Sequence, residues 1–327
     1  MKVTVLMTLY NKGAFVREGI ESVLSSTFTD FELLIIDDAS TDDGPSIVRS
    51  IPDPRIRFVP AEKNSGRAAS ADRGYALAQG EYLAVLDADD VMAPERLARQ
   101  VEYLDQHREV AVVGSWLQCF GSSTEVIRFT AEGARAKAVG LFTVPVSYPS
   151  CMFRTHIVQH GGVRAVADWL LPGEDHLVML AIGEHGIYAN LAETLTRYRV
   201  GEQNMAFGRD AKADRMALAD AILRWYGLVA SAAELAAHDR LQLQERTPLT
   251  TAQVGAVHDW TQRLQNELPG RRGMPSEELR LELKRRTDRL FYLIADGSLK
   301  GGWTYMLRSG ITIPRLRYWA SRCFKGV

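Results

Sequence analysis

An α/β fold, with a mostly parallel sheet flanked by helices and an α-helical extension at the C-terminus, follows from three features of the chain. Short apolar, β-branched runs alternate four times with helical patterns over the first 115 or so residues, as chains that wind helices over both faces of a parallel sheet do. Each of these runs stops at a polar cluster, and in such sheets ligands bind beyond the C-terminal strand ends. From about Ala206 onward the pattern is helical throughout, which sets the expected boundary: a Rossmann-like domain over residues 1–205 and a helical extension over 206–327.

The elements follow in order. Val3 to Met7 reads as a buried strand. After Gly13 the period changes, and Val16, Ile20, Val23 and Leu24 fall on one helical face. Phe31 to Ile36 is a second strand, stopped by Asp37-Asp38, and a short helix around Pro45 to Ser50 has proline in its first turn. Ile56 to Pro60 is the third strand. The small residues of "GRAASADRGYALAQ" make a helix closed by Gly80. Tyr82 to Leu86 is the fourth strand; Leu97, Val101 and Leu104 mark a helix after Pro94; Ala111 to Leu117 is the fifth strand. Val144 to Arg154 reads as strand and turn, and Pro172 to Ile182 as a loop feeding a helix. In the extension, "DRMALADAILRWYGLVASAAELAA" is one long Ala/Leu-rich stretch. Thr250 with Gln253 forms a capping box, and Leu279, Leu283, Leu290 and Ile294 recur at helical spacing beyond a Gly/Pro/Arg break at Pro269 to Pro275.

The bulk composition narrows the function classes. The chain has 327 residues and a net charge of −1, so nothing global points to nucleic acid. The charge is uneven: six cations and no acid follow Asp296, making the C-terminus a basic patch. Cys119, Cys151 and Cys323 are too few and too scattered for a disulfide framework or a metal cluster, which favours a reducing compartment. The opening apolar run is too short to span a membrane and lacks a small-residue cleavage site. The expected location is therefore the cytoplasm, with any membrane contact peripheral.

The chemistry concentrates at the strand ends. "LDADD" (Leu86 to Asp90) sets three carboxylates within four positions. Two carboxylates about 4 Å apart repel by roughly 1 kcal/mol in water and roughly 4 at intermediate dielectric, so either water dissipates the repulsion or a cation belongs there. Hard divalent ions prefer such oxygen ligands, and Mg²⁺ typically takes one or two carboxylates plus substrate phosphates. Asp37-Asp38 ends a strand, where a carboxylate is placed to accept from a base N–H or a ribose hydroxyl, or to serve as an ordinary turn residue. Arg67, after Asn64-Ser65-Gly66, is either a phosphate partner or a solvated surface cation. Glu174-Asp175 opens a helix, where acids are ordinary and where one of them is also placed to act as a general base. Trp169 and His176 flank that pair; Trp169 suits either stacking on a sugar or packing.

Four blocks, "VTVLMTLYNKGAFVREGIESVLSSTFTDFELLIIDDASTDDG", "NSGRAASADRGYALAQGEYLAVLDADDVMAPERL", "LPGEDHLVMLAIGEHG" and "ETLTRYRV", resemble in order and spacing the family-two inverting glycosyltransferases of bacterial polysaccharide synthesis, which have the GT-A fold. The likeness covers roughly residues 2–204 and fades in the helical tail. It implies that Asp89 coordinates Mn²⁺ or Mg²⁺, that Asp87 lies beside the nucleotide, that Asp38 reads the base in a pocket lined by Thr8 and Tyr10, and that Asp175 is the base, with Glu174, His176 and Trp169 on the acceptor side. It implies a nucleotide-sugar donor, a UDP-sugar by family frequency, and a glycan or lipid-linked acceptor. Two departures stand out. Many members carry Arg-Asn where this chain has Ala71-Asp72, leaving Arg67 or Arg73 to take over that contact, and a frequent histidine is replaced by Gly201. The competing classes are a sugar-1-phosphate nucleotidyltransferase, which calls for a Gly-rich, Arg-containing loop where this chain has "TLYNKGAF", and a non-catalytic nucleotide-sugar-binding scaffold.

The C-terminal segment, plotted as a helix, puts Leu316, Trp319, Ala320 and Cys323 on one arc and Arg315, Arg317, Arg322 and Lys325 on the other. Such a helix either lies on an anionic membrane surface or docks on its own domain with solvated arginines.

Overall fold

Val3–Leu9 (β1) is buried along almost its whole length, as a strand covered on both faces must be. A computed structural model of the chain describes residues 1–165, 173–205, 207–243, 247 and 249–324. After β1 come α1 (Gly13–Leu24), β2 (Phe31–Asp37), α2 (Gly44–Arg49), β3 (Ile56–Pro60), α3 (Arg67–Leu77), β4 (Tyr82–Val85), β5 (Val91–Met92), α4 (Arg96–Gln106), β6 (Val110–Gly121), β7 (Val126–Ile127), α5 (Gly133–Gly140), β8 (Met152–Arg154), α6 (Thr155–His160), α7 (Glu174–Ile182) and β9 (Ile187–Val200). The sheet order is β3-β2-β1-β4-β8-β6-β9-β5, with β7 paired to β6.

The half of the sheet from β3 to β4 is parallel, as expected. Register pairs Leu9 with Asp37 and Asp37 with Pro60, so these strands end on one rim. The other half is mixed. β8 enters antiparallel between β4 and β6, and β5 is antiparallel to β9. β6 runs parallel to β9 with register shifts near Val110, Ser115 and Trp116. β9 has no counterpart in the sequence reading, because its exposure alternates irregularly through those shifts and hides the period-two pattern.

Most helices fall where the periodicity puts them: Val16, Ile20 and Val23 of α1 and Leu97, Val101 and Leu104 of α4 are all buried. Gly80 does not cap α3, which ends at Leu77 with Ala78 as its C-cap. A Cβ at Gly80 would lie 2.3 Å from the backbone nitrogen of Thr4, so the glycine permits a close approach to β1.

The chain folds as two compact units, residues 1–136 with 144–209 and residues 137–143 with 210–327. The second holds α8 (Ala211–Trp225), α9 (Ala232–Leu241), α10 (Thr251–Glu267), α11 (Ser276–Gly297), α12 (Leu299–Ser309) and α13 (Ile313–Phe324). The expected single Ala/Leu stretch is two helices, α8 and α9, separated at Gly227 (φ 72). Thr250 and Gln253 form the anticipated capping box. Leu279, Leu283, Leu290 and Ile294 line the core of this unit, where the His238 ring stacks on Phe142 and bonds the Leu141 carbonyl. No helix among the described residues is long and apolar enough to cross a membrane.

The tail helix corrects both arcs of the sequence reading. Arg315 is buried, ion-paired to Asp288 and bonded to Ser309 Oγ at 2.8 Å. Trp319 is half-buried and donates to the Leu299 carbonyl at 2.7 Å, while Leu316 is exposed. Packing on α11 and α12 recruits whichever side chains meet those helices, and a helical wheel cannot foresee which those are. Lys325 lies outside the described residues.

Candidate active site on the strand-end rim

β1 and β2 leave the sheet side by side and are stitched together beyond their ends. Asn11 Oδ1 accepts from the Thr41 N–H (2.8 Å), and the Asn11 N–H donates to Ser40 Oγ (3.0 Å). Asn11 and Ala39 both hold positive φ, 51° and 59°. For alanine this is a costly backbone state, of the kind that collects at ligand sites. On this rim Thr8 is half-buried and Tyr10 is 48% exposed. Asp38 is buried, and its two carboxylate oxygens accept from the N–H groups of Ser65 and Gly66, each at 2.8 Å. It thereby shapes the loop that leads to Arg67. Each oxygen retains a further acceptor position.

β4 delivers the acidic turn. Arg96, fully buried, donates to the carbonyls of Val85 (2.8 Å), Pro149 (2.9 Å) and Cys151 (3.0 Å) and to Gln100 Oε1 (3.0 Å). This anchors the strand exit. The turn closes with the Asp90 N–H on the Asp87 carbonyl at 3.0 Å and sits against Gly19, where a Cβ would lie 3.2 Å from the carbonyls of Ala88 and Asp90. Arg199, in β9, clasps the turn from the other side. Its backbone N–H donates to Asp90 Oδ1 and its Nε to the Asp89 carbonyl, both at 2.8 Å.

The three acids of "DADD" have different environments. Asp89 is ion-paired to Lys12 at 2.6 Å, and the same ammonium donates to the Gln203 carbonyl at 2.9 Å. Asp90 is buried; one oxygen meets the Arg199 N–H and Oδ2 has no partner among the described residues. Burial, reinforced by Asp87, pushes the Asp90 carboxyl up to about 9, which fits a structural, uncharged role. Asp87 is half-buried, and burial pushes it up to about 6; the Arg67 cation opposes that rise, while Asp89 and Asp175 add to it.

Arg67 opens α3 and bonds Glu174 Oε1 through Nε at 2.5 Å. Burial works against its charge, but Glu174, Asp175 and Asp87 outweigh it and hold the guanidinium above its ordinary range. The Glu174–Asp175 pair is set by Gly173, whose φ of 104° starts α7. Glu174 is buried on Arg67, with Oε2 unpartnered among the described residues; it is therefore spent on the arginine and does not face outward. Asp175 is half-buried, and its Oδ1 accepts from the His176 N–H at 3.0 Å. His176 is buried in α7 rather than open to an acceptor. Trp169 lies outside the described residues. Lys12, Arg96 and Arg199 were not singled out in the sequence, where lone cations read as solvated; the position of Lys12 just past a strand end was the one available signal.

A divalent cation fits this rim as a guest of the substrate. The described residues contain no group of three or more His, Cys, Asp or Glu side chains able to hold an ion unaided. Asp89 keeps one oxygen clear of Lys12 and Asp87 lies within its field, and one or two carboxylates suffice when phosphates complete the shell.

The family model described as "Glycosyl transferase family 2" matches residues 4–159. The protein named "Putative glycosyltransferase EpsE" of Bacillus subtilis (strain 168) is 34% identical over 224 residues, 64% of this chain and 76% of that protein. Across the first curated relatives the chain spans 30% to 76% of their lengths, most often less than half. Among solved structures, TarS from S. aureus in complex with UDP-GlcNAc superposes with a TM-score of 0.60 at 17% identity, over 88% of this chain and 92% of that one. The mannosyltransferase PcManGT from Pyrobaculum calidifontis, in complex with GDP-Man and Mn²⁺, superposes with a TM-score of 0.50 at 17% identity, over 99% and 84%. The sheet, its order and the residues matched leave one assignment: the chain belongs to glycosyl transferase family 2 and has the GT-A fold.

Proposed function

We propose that the chain transfers a sugar from a nucleoside-diphosphate sugar, a UDP-sugar, to a hydroxyl of a glycan or lipid-linked acceptor, in one displacement that inverts the anomeric carbon. The observation that carries this reading is electrostatic: three acids from two separate segments, Asp87 and Asp89 of the β4 turn and Asp175 of α7, share a field with Arg67 and Lys12. That mixture suits a diphosphate, a cation and a hydroxyl arriving together. The complexes of TarS with UDP-GlcNAc and PcManGT with GDP-Man and Mn²⁺ support a nucleotide-sugar donor.

In the mechanism, Thr8, Tyr10 and Asp38 receive the base, with Asp38 using the acceptor positions left after Ser65 and Gly66. Arg67, held by Glu174, turns its remaining guanidinium N–H groups to the phosphates. Asp89 and Asp87 would hold Mn²⁺ or Mg²⁺, which when bound supplies Lewis-acid charge at the diphosphate. Asp175 takes the acceptor hydroxyl proton at a carboxylate oxygen as the oxygen attacks from the face opposite the leaving group. On this reading the enzyme works in the cytoplasm, at the inner face of the membrane when its acceptor is lipid-linked. A thermal-shift panel of nucleoside diphosphates and their sugars, with and without Mn²⁺, tests it. A metal-dependent rise with one nucleotide family, lost in Asp89→Asn, is expected; no shift with any nucleotide sugar would sink the reading.

A further inference from the structure

The second unit carries an apolar edge that its described part leaves largely uncovered, Trp303 alone packing its ring on Trp319 at 5.0 Å between centroids. In α12, Trp303 and Leu307 lie four residues apart on one face and are 38% and 62% exposed. Ile311 in the following turn is 53% exposed, and Ile313 and Leu316 at the start of α13 are 68% and 41% exposed. The inward side of α12 is satisfied, since Tyr305 and Met306 are buried. Elsewhere in this unit only Val229 and Tyr292 are large, apolar and exposed among the described residues, so the concentration over 303–316 is local. Its centre projects: Gly310 takes φ 95°, and residues 310–314 are all exposed.

Cations rim the edge. Lys300, Arg308 and Arg317 are exposed, and Asp296 is the last acid of the chain. The other described tail cations are already committed, Arg315 to Asp288 and Arg322 to Asp296. Among the described residues Arg308 has one acid within reach, the exposed Asp259 at 3.9 Å.

We propose that this edge docks on an anionic lipid bilayer, with Leu307, Ile311 and Ile313 entering the boundary between headgroups and acyl chains while Lys300, Arg308 and Arg317 meet lipid phosphates. Charge complementarity selects the bilayer over a second copy of the chain. Two such edges face to face would oppose Lys300, Arg308 and Arg317 to their own copies, and among the described residues only Asp259, 3.9 Å from Arg308, answers any of the three. A bilayer offers phosphate at the surface and hydrocarbon just below it, matching the order of cations and apolar side chains here. The proposal deepens the functional reading by naming the surface through which the enzyme reaches a lipid-linked acceptor, and it rests on that reading for the acceptor alone.

The test is flotation of the full chain with phosphatidylcholine vesicles, with and without phosphatidylglycerol, at low and high salt. Two double variants accompany it: Ile311→Glu with Ile313→Glu, and Arg308→Glu with Arg317→Glu. All four residues are exposed, and thermal melts check that the fold is kept. Wild type is expected to float with the anionic vesicles, less with neutral ones and less in high salt, and each double variant to lose about tenfold or more of the bound fraction. No flotation with anionic vesicles, undiminished flotation of the isoleucine variant, or a wild-type dimer in light scattering that the isoleucine variant dissolves would overturn the proposal. Nucleotide-sugar calorimetry on the same preparations separates the two readings. A chain that floats but takes up no nucleotide sugar keeps the docking surface and removes the donor assignment; a chain that binds donor but never floats does the reverse.

Discussion

Lys12 Nζ lies 2.6 Å from Asp89 Oδ2 and 2.9 Å from the Gln203 carbonyl. One ammonium thus neutralises the proposed metal ligand and ties it to the backbone that follows β9. A divalent ion reaching Asp89 must share that carboxylate with Lys12.

Lys12→Met therefore removes a competitor. In calorimetry with a nucleoside diphosphate present, Mn²⁺ should bind about tenfold more tightly to the variant than to wild type, equivalent to roughly 1.4 kcal/mol. Unchanged or weaker Mn²⁺ binding would mean that Lys12 does not contend for Asp89.

The Arg67–Glu174 pair makes a stability prediction. Removing Arg67 leaves Glu174 buried with both oxygens poorly answered. Breaking a fully buried pair costs about 3–5 kcal/mol, but Arg67 is 35% exposed, so water screens part of that and about 1–3 kcal/mol is expected for Arg67→Ala. Adding Glu174→Gln should recover part of the loss. Denaturant melts of the single and double variants read this directly, and additive losses would show that the two side chains are not coupled.

Asp90 sets a pH dependence. Its folded-state value of about 9 lies above the ordinary carboxyl value of 3.8, so the folded chain holds that proton more tightly than the unfolded one. Its contribution to stability is full below the unfolded value and is lost as pH rises through the folded one. Asp87, raised to about 6, adds a loss of the same sign at lower pH. Asp90→Asn should keep the bond from the Arg199 N–H, raise Tm at pH 8 and flatten the fall of Tm between about pH 6 and 9. An identical Tm profile in the variant would contradict the shifted proton.

The sequence made the parallel half of the sheet and its rim readable for a simple reason. β1, β2 and β4 are buried on both faces, so each is apolar but for the threonines of β1 and Glu32 of β2, and each ends in the polar residues that build the rim. β9 was hidden because its bulged register against β6 breaks the alternation. Asp37-Asp38, Asp87 to Asp90 and Glu174-Asp175 were visible as clustered acids. Their partners were not: Lys12, Arg67's ion pair with Glu174, Arg96 beneath the strand exit and Arg199 behind the turn depend on pairings between residues far apart in the chain. Those pairings changed the reading of Glu174, which the sequence offered to the acceptor and the fold gives to Arg67.

Asp175 carries the central claim, because it alone among the rim acids is assigned the acceptor proton. The direct test compares Asp175→Asn with wild type in a radiolabelled transfer assay and in donor calorimetry. Donor affinity should stay within about threefold while kcat falls by about 10²–10⁴, the usual worth of a general base. Turnover within a few-fold of wild type, with donor still bound, would contradict the assignment and with it the proposed chemistry of the rim.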